Sequence, residues 1–148
     1  MKILIIEDDE NKLNDIKVTV KDIFDNMNIE IDIAVMYSFQ TGLNNVISEK
    51  YDLLLLDMSL PNFEKKSDTG IPFGLAGKII LSEMDYYDIH VKTIIVTAYE
   101  AIEGESMNSI SNELQDEFGT FYYGYVKYAA NESNWKNELE NKIKETIS

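Results

Sequence analysis

Short apolar runs alternate with amphipathic stretches along the whole chain. Residues 2–6 (KILII) and 52–56 (DLLLL) contain runs of consecutive aliphatic residues, the pattern of strands buried on both faces. Residues 29–35 (IEIDIAV) alternate and predict a strand nearer an edge, and 91–96 (VKTIIV) and 120–126 (TFYYGYV) predict two more. Between them, apolar residues recur at helical spacing. Leu13, Ile16, Val20, Ile23 and Phe24 predict a first helix, and Phe39, Leu43, Val46 and Ile47 a second, with Ser38 as its cap. Leu75, Ile79 and Ile80 mark a third, and Met107, Ile110, Leu114 and Phe118 a fourth. Trp135, Leu139, Ile143 and Ile147 close the chain. A polar loop from about 58 to 72 carries both prolines, Pro61 and Pro72.

Five strand–helix units in strict alternation predict an α/β fold: a doubly wound, five-stranded parallel sheet, (βα)5, with helices on both faces. No linker, repeat or low-complexity tail interrupts the pattern, so 1–148 is expected to be one domain with no output domain. A chain of 148 residues can form a self-sufficient core.

Composition narrows the function. All thirteen basic residues are Lys, against 27 acidic ones, for a net charge of −14. That charge, and the absence of any Arg fork, argues against nucleic acid. The chain lacks Cys, which removes disulfides and thiolate chemistry, and its one His, His90, is too few for a His-rich metal site. There is no signal-peptide pattern and no apolar run long enough to cross a bilayer, so a cytoplasmic protein without membrane insertion is expected.

In open parallel sheets, ligands bind beyond the carboxyl ends of the strands. The predicted strands deliver Glu7, Asp8 and Asp9, then Asp57, then Thr97 and Ala98, then Lys127 to that rim. Clustered carboxylates favour a hard cation, and Mg²⁺ suits such an open site. Asp57 beside the cation could attack a phosphoryl donor and form an acyl phosphate. Mg²⁺, the Lys127 ammonium and the Thr97 hydroxyl would then balance the phosphoryl oxygens.

These residues resemble the receiver domain of two-component response regulators, a flavodoxin-like, CheY-like family. The likeness rests on ILIIEDDE with Glu7 and Asp8, LLLLDMSLP with Asp57 and Pro61, IIVTAY with Thr97, and YVK with Lys127. Each motif is weak by itself, but here four stand in order, each ending the appropriate strand. The resemblance implies a phosphorelay switch in which Asp57 is phosphorylated by a sensor histidine kinase or phosphotransfer protein. Glu7, Asp8, Asp57 and the Met58 backbone carbonyl would hold Mg²⁺. The chain would catalyse only its own phosphotransfer and dephosphorylation and would not be a dedicated enzyme.

Departures from the family pattern sharpen the expectations. Tyr128 stands where a proline usually follows the lysine, so a trans peptide and a shifted Lys127 are expected. Gly124 stands where the family carries its switch aromatic. Tyr125 should share a face with Lys127, and Tyr122 or Tyr125 could replace that aromatic. Asp9 is expected at the start of the first helix. Ser59 and Tyr99 border the approach to Asp57, and Tyr99 could shield a phosphoryl group. The tyrosine-rich segment 99–128 is the expected surface for a partner or a second copy of the chain. Two further readings remain open: a receiver-like binding module that no longer cycles phosphate, and a haloacid-dehalogenase-type phosphatase. The latter normally has a second Asp two residues on, where this chain has Ser59.

Overall fold

The computed structural model describes residues 1–61 and 74–148, so Pro72 and most of the predicted polar loop lie outside the described residues. Five parallel strands form the main sheet: β1 (Lys2–Ile6), β2 (Asp32–Met36), β3 (Leu53–Leu56), β4 (Lys92–Thr97) and β7 (Tyr122–Lys127). Their order is β2-β1-β3-β4-β7, so the alternating strand of the pair at the start lies on an edge, as its pattern predicts. The helices are α1 (Glu10–Asn26), α2 (Phe39–Ser48), α3 (Ala76–Tyr86), α4 (Met107–Phe118) and α5 (Asn134–Ile147). Among the described residues, no helix is long and apolar enough to cross a membrane.

The period of two along each strand divides the core. Leu4 and Ile6 of β1, with Leu54 and Leu56 of β3, pack against α2, α3 and α4. Ile3 and Ile5, with Leu53 and Leu55, pack against α1 and α5. Both faces are covered, which is why these strands read as unbroken aliphatic runs. Side-chain caps start the helices where the sequence supplies them: Asp9 accepts the Lys12 N–H, Ser38 the Thr41 N–H and Ser106 the Ser109 N–H. Trp135 is buried against Tyr128, in the packing role expected of it.

Two features depart from the predicted scheme. The segment after β4 folds into a small antiparallel hairpin, β5 (Ala101–Ile102) and β6 (Glu105–Ser106). Glu103 and Gly104 turn it with positive φ at both positions (51° and 82°), the geometry of the tight hairpin turns that match strand twist. Two-residue strands are too short to show periodicity, which is why no element is predicted there. The hairpin buries Ile102 against the core on the α3–α4 side.

The second departure is in β7. Thr93 and Ile95 of β4 pair with Tyr122 and Tyr125, so β7 carries one extra residue across that step. Gly124 sits in this bulge with φ 104°, a conformation that disfavours any side chain. The bulge resets the alternation. Tyr122 and Tyr125 both pack toward the α4 side, whereas Tyr123, Val126 and Tyr128 pack toward α1 and α5.

Gly77 brings α3 close to the end of β3. Its N–H donates to the Met58 carbonyl (3.1 Å), and an added Cβ would lie 2.9 Å from both the Asp57 carbonyl oxygen and the Met58 Cα. Because these neighbours are backbone, Gly77→Ala should destabilise the fold by about 1–3 kcal/mol. A thermal melt unchanged from the wild type would show that α3 is free to shift.

Candidate functional site

Glu7 and Asp57 stand one residue beyond β1 and β3, and each continues the face that packs on α1 and α5. The two carboxylates therefore meet beside the first turn of α1. Glu7 and Asp57 are buried (2% and 6% exposed), and Asp8 is half-buried. Glu7, Asp8 and Asp57 each place one carboxylate oxygen within 4.8 Å of the other two. Glu7 Oε2 also accepts the Asp9 N–H (3.1 Å), which fixes the start of α1 to the site.

The first turn of α1 supplies a residue that the sequence reading missed, Lys12. Its side chain is buried, and its Nζ lies 2.6 Å from Glu7 Oε1 and donates to the Val96 carbonyl at 2.7 Å. It also lies 3.2 Å from Asp57 Oδ1, yet that oxygen is buried and makes no hydrogen bond. The contact is thus one of charge, without an aligned proton. The signal was available: Lys12 precedes Ile16, Val20 and Phe24 at spacings of four, so it belongs to the buried stripe of α1. A lysine on such a stripe needs a buried partner.

Among the described residues, Glu7 and Asp57 share the ammonium of Lys12. Burial is the largest influence on Glu7 and raises its pKa to about 7, with Lys12 pulling it down and Asp57 adding to the rise. Burial likewise raises the pKa of Asp57, again against Lys12. The unbonded Asp57 Oδ1 and the all-oxygen donor set fit a small divalent cation held by Glu7, Asp8 and Asp57.

The other expected site residues lie around this cluster. Thr97 ends β4, fully buried, and its Oγ1 accepts the Tyr99 N–H (3.2 Å). Tyr99 itself is 39% exposed at the rim. The Met58 carbonyl, expected as a cation ligand, accepts the Gly77 N–H and so seats α3. Lys127, expected beside Asp57, is not within ion-pair distance of it among the described residues. Its Nζ lies 4.0 Å from Glu100 Oε1, in an exposed setting. The reason is local. The Lys127–Tyr128 peptide is trans, as expected. The Tyr128 N–H donates to the Thr97 carbonyl (2.8 Å), and the Tyr128 ring is buried against Trp135, with its hydroxyl on Asp15. With Tyr128 on the α1–α5 side, Lys127 falls on the opposite face, with Tyr125 along one groove. His90 stacks on Phe121, away from the cluster.

The folded chain holds the Glu7 proton up to a pH of about 7, whereas the group ordinarily releases it near 4.5. A raised pKa adds stability that is complete below the lower value and is lost as pH rises through the upper one. Metal-free wild type should therefore lose stability relative to Glu7→Gln between pH 4.5 and 7. Parallel Tm profiles for the two proteins would contradict this.

No family model matches the chain. A curated relative, the Detocs response regulatory protein DtcB of Enterobacter cloacae, is 32% identical over 153 aligned positions, covering 98% of this chain and 99% of that protein. Among solved structures, a response regulator receiver domain protein from Clostridium thermocellum aligns with TM-score 0.67 and 20% identity, over 99% of this chain and 93% of that one. A CheY-like receiver domain protein from Methanospirillum hungatei aligns with TM-score 0.60 and 24% identity, over 99% and 92%. At those identities the two structures speak to the fold.

Proposed function

The chain belongs to the receiver family of response regulators, and on that premise we propose that it is a phosphoacceptor switch acting through Asp57. The observation that carries this reading is the meeting of Glu7, Asp8 and Asp57, with one oxygen of Asp57 buried and unbonded. An Asp57 carboxylate oxygen attacks the phosphorus of a phosphohistidine on a sensor kinase or phosphotransfer protein. The P–N bond breaks, its electron pair stays on the imidazole nitrogen, and an acyl phosphate forms. Mg²⁺ held by Glu7, Asp8 and Asp57 would offset charge on the phosphoryl oxygens. Glu7 and Asp8 orient the cluster, and the Thr97 hydroxyl is the candidate donor to a phosphoryl oxygen. The reading places the chain in the cytoplasm, as a signalling module with no substrate beyond its own aspartate.

Incubation with acetyl phosphate and Mg²⁺ should add one phosphoryl group to the wild type, read by intact mass, and none to Asp57→Asn. Undiminished phosphate on the Asn variant would sink the assignment. A wild type that takes no phosphate but still melts higher with Mg²⁺ would favour the binding-only reading.

We assign the signal's exit to segment 99–128, through a partner protein or a second copy of the chain. Asn108, Tyr125 and Lys127 line a groove there together with residues of α5, and the Tyr125 hydroxyl donates to Asn108. Beryllofluoride with Mg²⁺ should alter hydrogen exchange in 99–128. Changes restricted to α1 and α2 would place the exit elsewhere.

A further inference from the structure

We propose that Lys12, rather than Lys127, is the ammonium that neutralises Asp57 and binds the phosphoryl group once it forms. This rests on the phosphoacceptor reading of Asp57. Lys12 Nζ lies 2.6 Å from Glu7 Oε1, 2.7 Å from the Val96 carbonyl oxygen and 3.2 Å from Asp57 Oδ1, within a buried setting. Lys127 Nζ faces Glu100.

The division follows from the phase of the strands. Glu7 and Asp57 extend the series of side chains that pack on α1, and Lys12 rises from that helix into the same space. Lys127 is in phase with Tyr125, and the extra residue at Gly124 puts both on the other face of the sheet. A lysine ammonium has three N–H donors. Glu7 and Val96 take two of them, and the third has only the unaligned charge contact with Asp57 Oδ1. That donor is therefore available to an oxygen that enters beside Asp57.

In the reaction, an Asp57 oxygen attacks phosphorus, and the bond from phosphorus to the donor's leaving atom breaks. With acetyl phosphate, acetate departs with the electron pair. The transferred group carries charge on its remaining oxygens, and Lys12 supplies one N–H and its positive charge to one of them without first being desolvated. Before transfer, the same ammonium competes with a divalent cation for Glu7 and Asp57. One side chain thus has opposed effects: it weakens cation binding and strengthens phosphoryl binding.

Those opposed signs provide the test. Phosphorylation by acetyl phosphate at saturating Mg²⁺ is followed by intact mass, and Mg²⁺ affinity by calorimetric titration, in wild type, Lys12→Met, Lys12→Arg and Lys127→Met. Lys12→Met should label about a hundredfold more slowly or worse, the loss expected on removing one preorganised charge donor. It should also bind Mg²⁺ more tightly than wild type. Lys12→Arg should recover part of the labelling, and Lys127→Met should lose less than Lys12→Met. A Lys12→Met protein that labels like wild type, or that loses Mg²⁺ binding along with labelling, overturns the proposal, as does a larger loss in Lys127→Met. If wild type itself takes no phosphoryl group, the phosphoacceptor reading fails. The Mg²⁺ titration then still decides whether Lys12 is the site's counter-ion.

Discussion

The rest of the site depends on the burial of Glu7 and Asp57 against the ammonium of Lys12. An isolated carboxylate in such a setting would be costly and would take up a proton. Lys12 offsets part of that cost, and its bond to the Val96 carbonyl ties the ends of β1, β3 and β4 to α1. The compensation is incomplete, because Asp57 Oδ1 is buried and has no hydrogen bond. An under-neutralised cluster is poised for a further cation. A well-paired one would be inert.

Position and chemistry have the same origin. The aliphatic runs Ile3–Ile6 of β1 and Leu53–Leu56 of β3 carry no polar side chain, so the polar groups of these strands gather where they end. Covering both faces brings α1 and α3 to those ends. α1 contributes Lys12, and α3 contributes the close approach of Gly77 to the Asp57 and Met58 backbone.

The architecture was largely legible because consecutive aliphatic residues and helical stripes are strong signals over five or more residues. Glu7, Asp8 and Asp57 were legible for a related reason: each directly follows or closely trails a run that had to be a strand. Lys12 was not found, since a lysine near a helix start reads as solvated unless its phase with Ile16 and Val20 is weighed. Lys127 was expected at the rim because it ends a strand and matches the family lysine, but the face it takes is set by the bulge at Gly124. The bulge depends on the backbone at a single glycine, and periodicity over six residues does not register one extra residue. The β5–β6 hairpin was missed because pairs of two-residue strands carry no periodic pattern.

Gly124 means that β7 is read in two frames. Upstream of it, odd and even positions are assigned to the two faces one way, and downstream the other way. Deleting this one residue would merge the frames and leave every later side chain on its present face, whereas keeping it in regular pairing, without the bulge, would exchange them all across the sheet. In that regular pairing Lys127 would turn toward α1 and the carboxylates, while Tyr128 would leave Trp135 for the groove by α4. The identity of the cation beside Asp57 is thus written partly in the backbone bend of a residue that has no side chain to contribute.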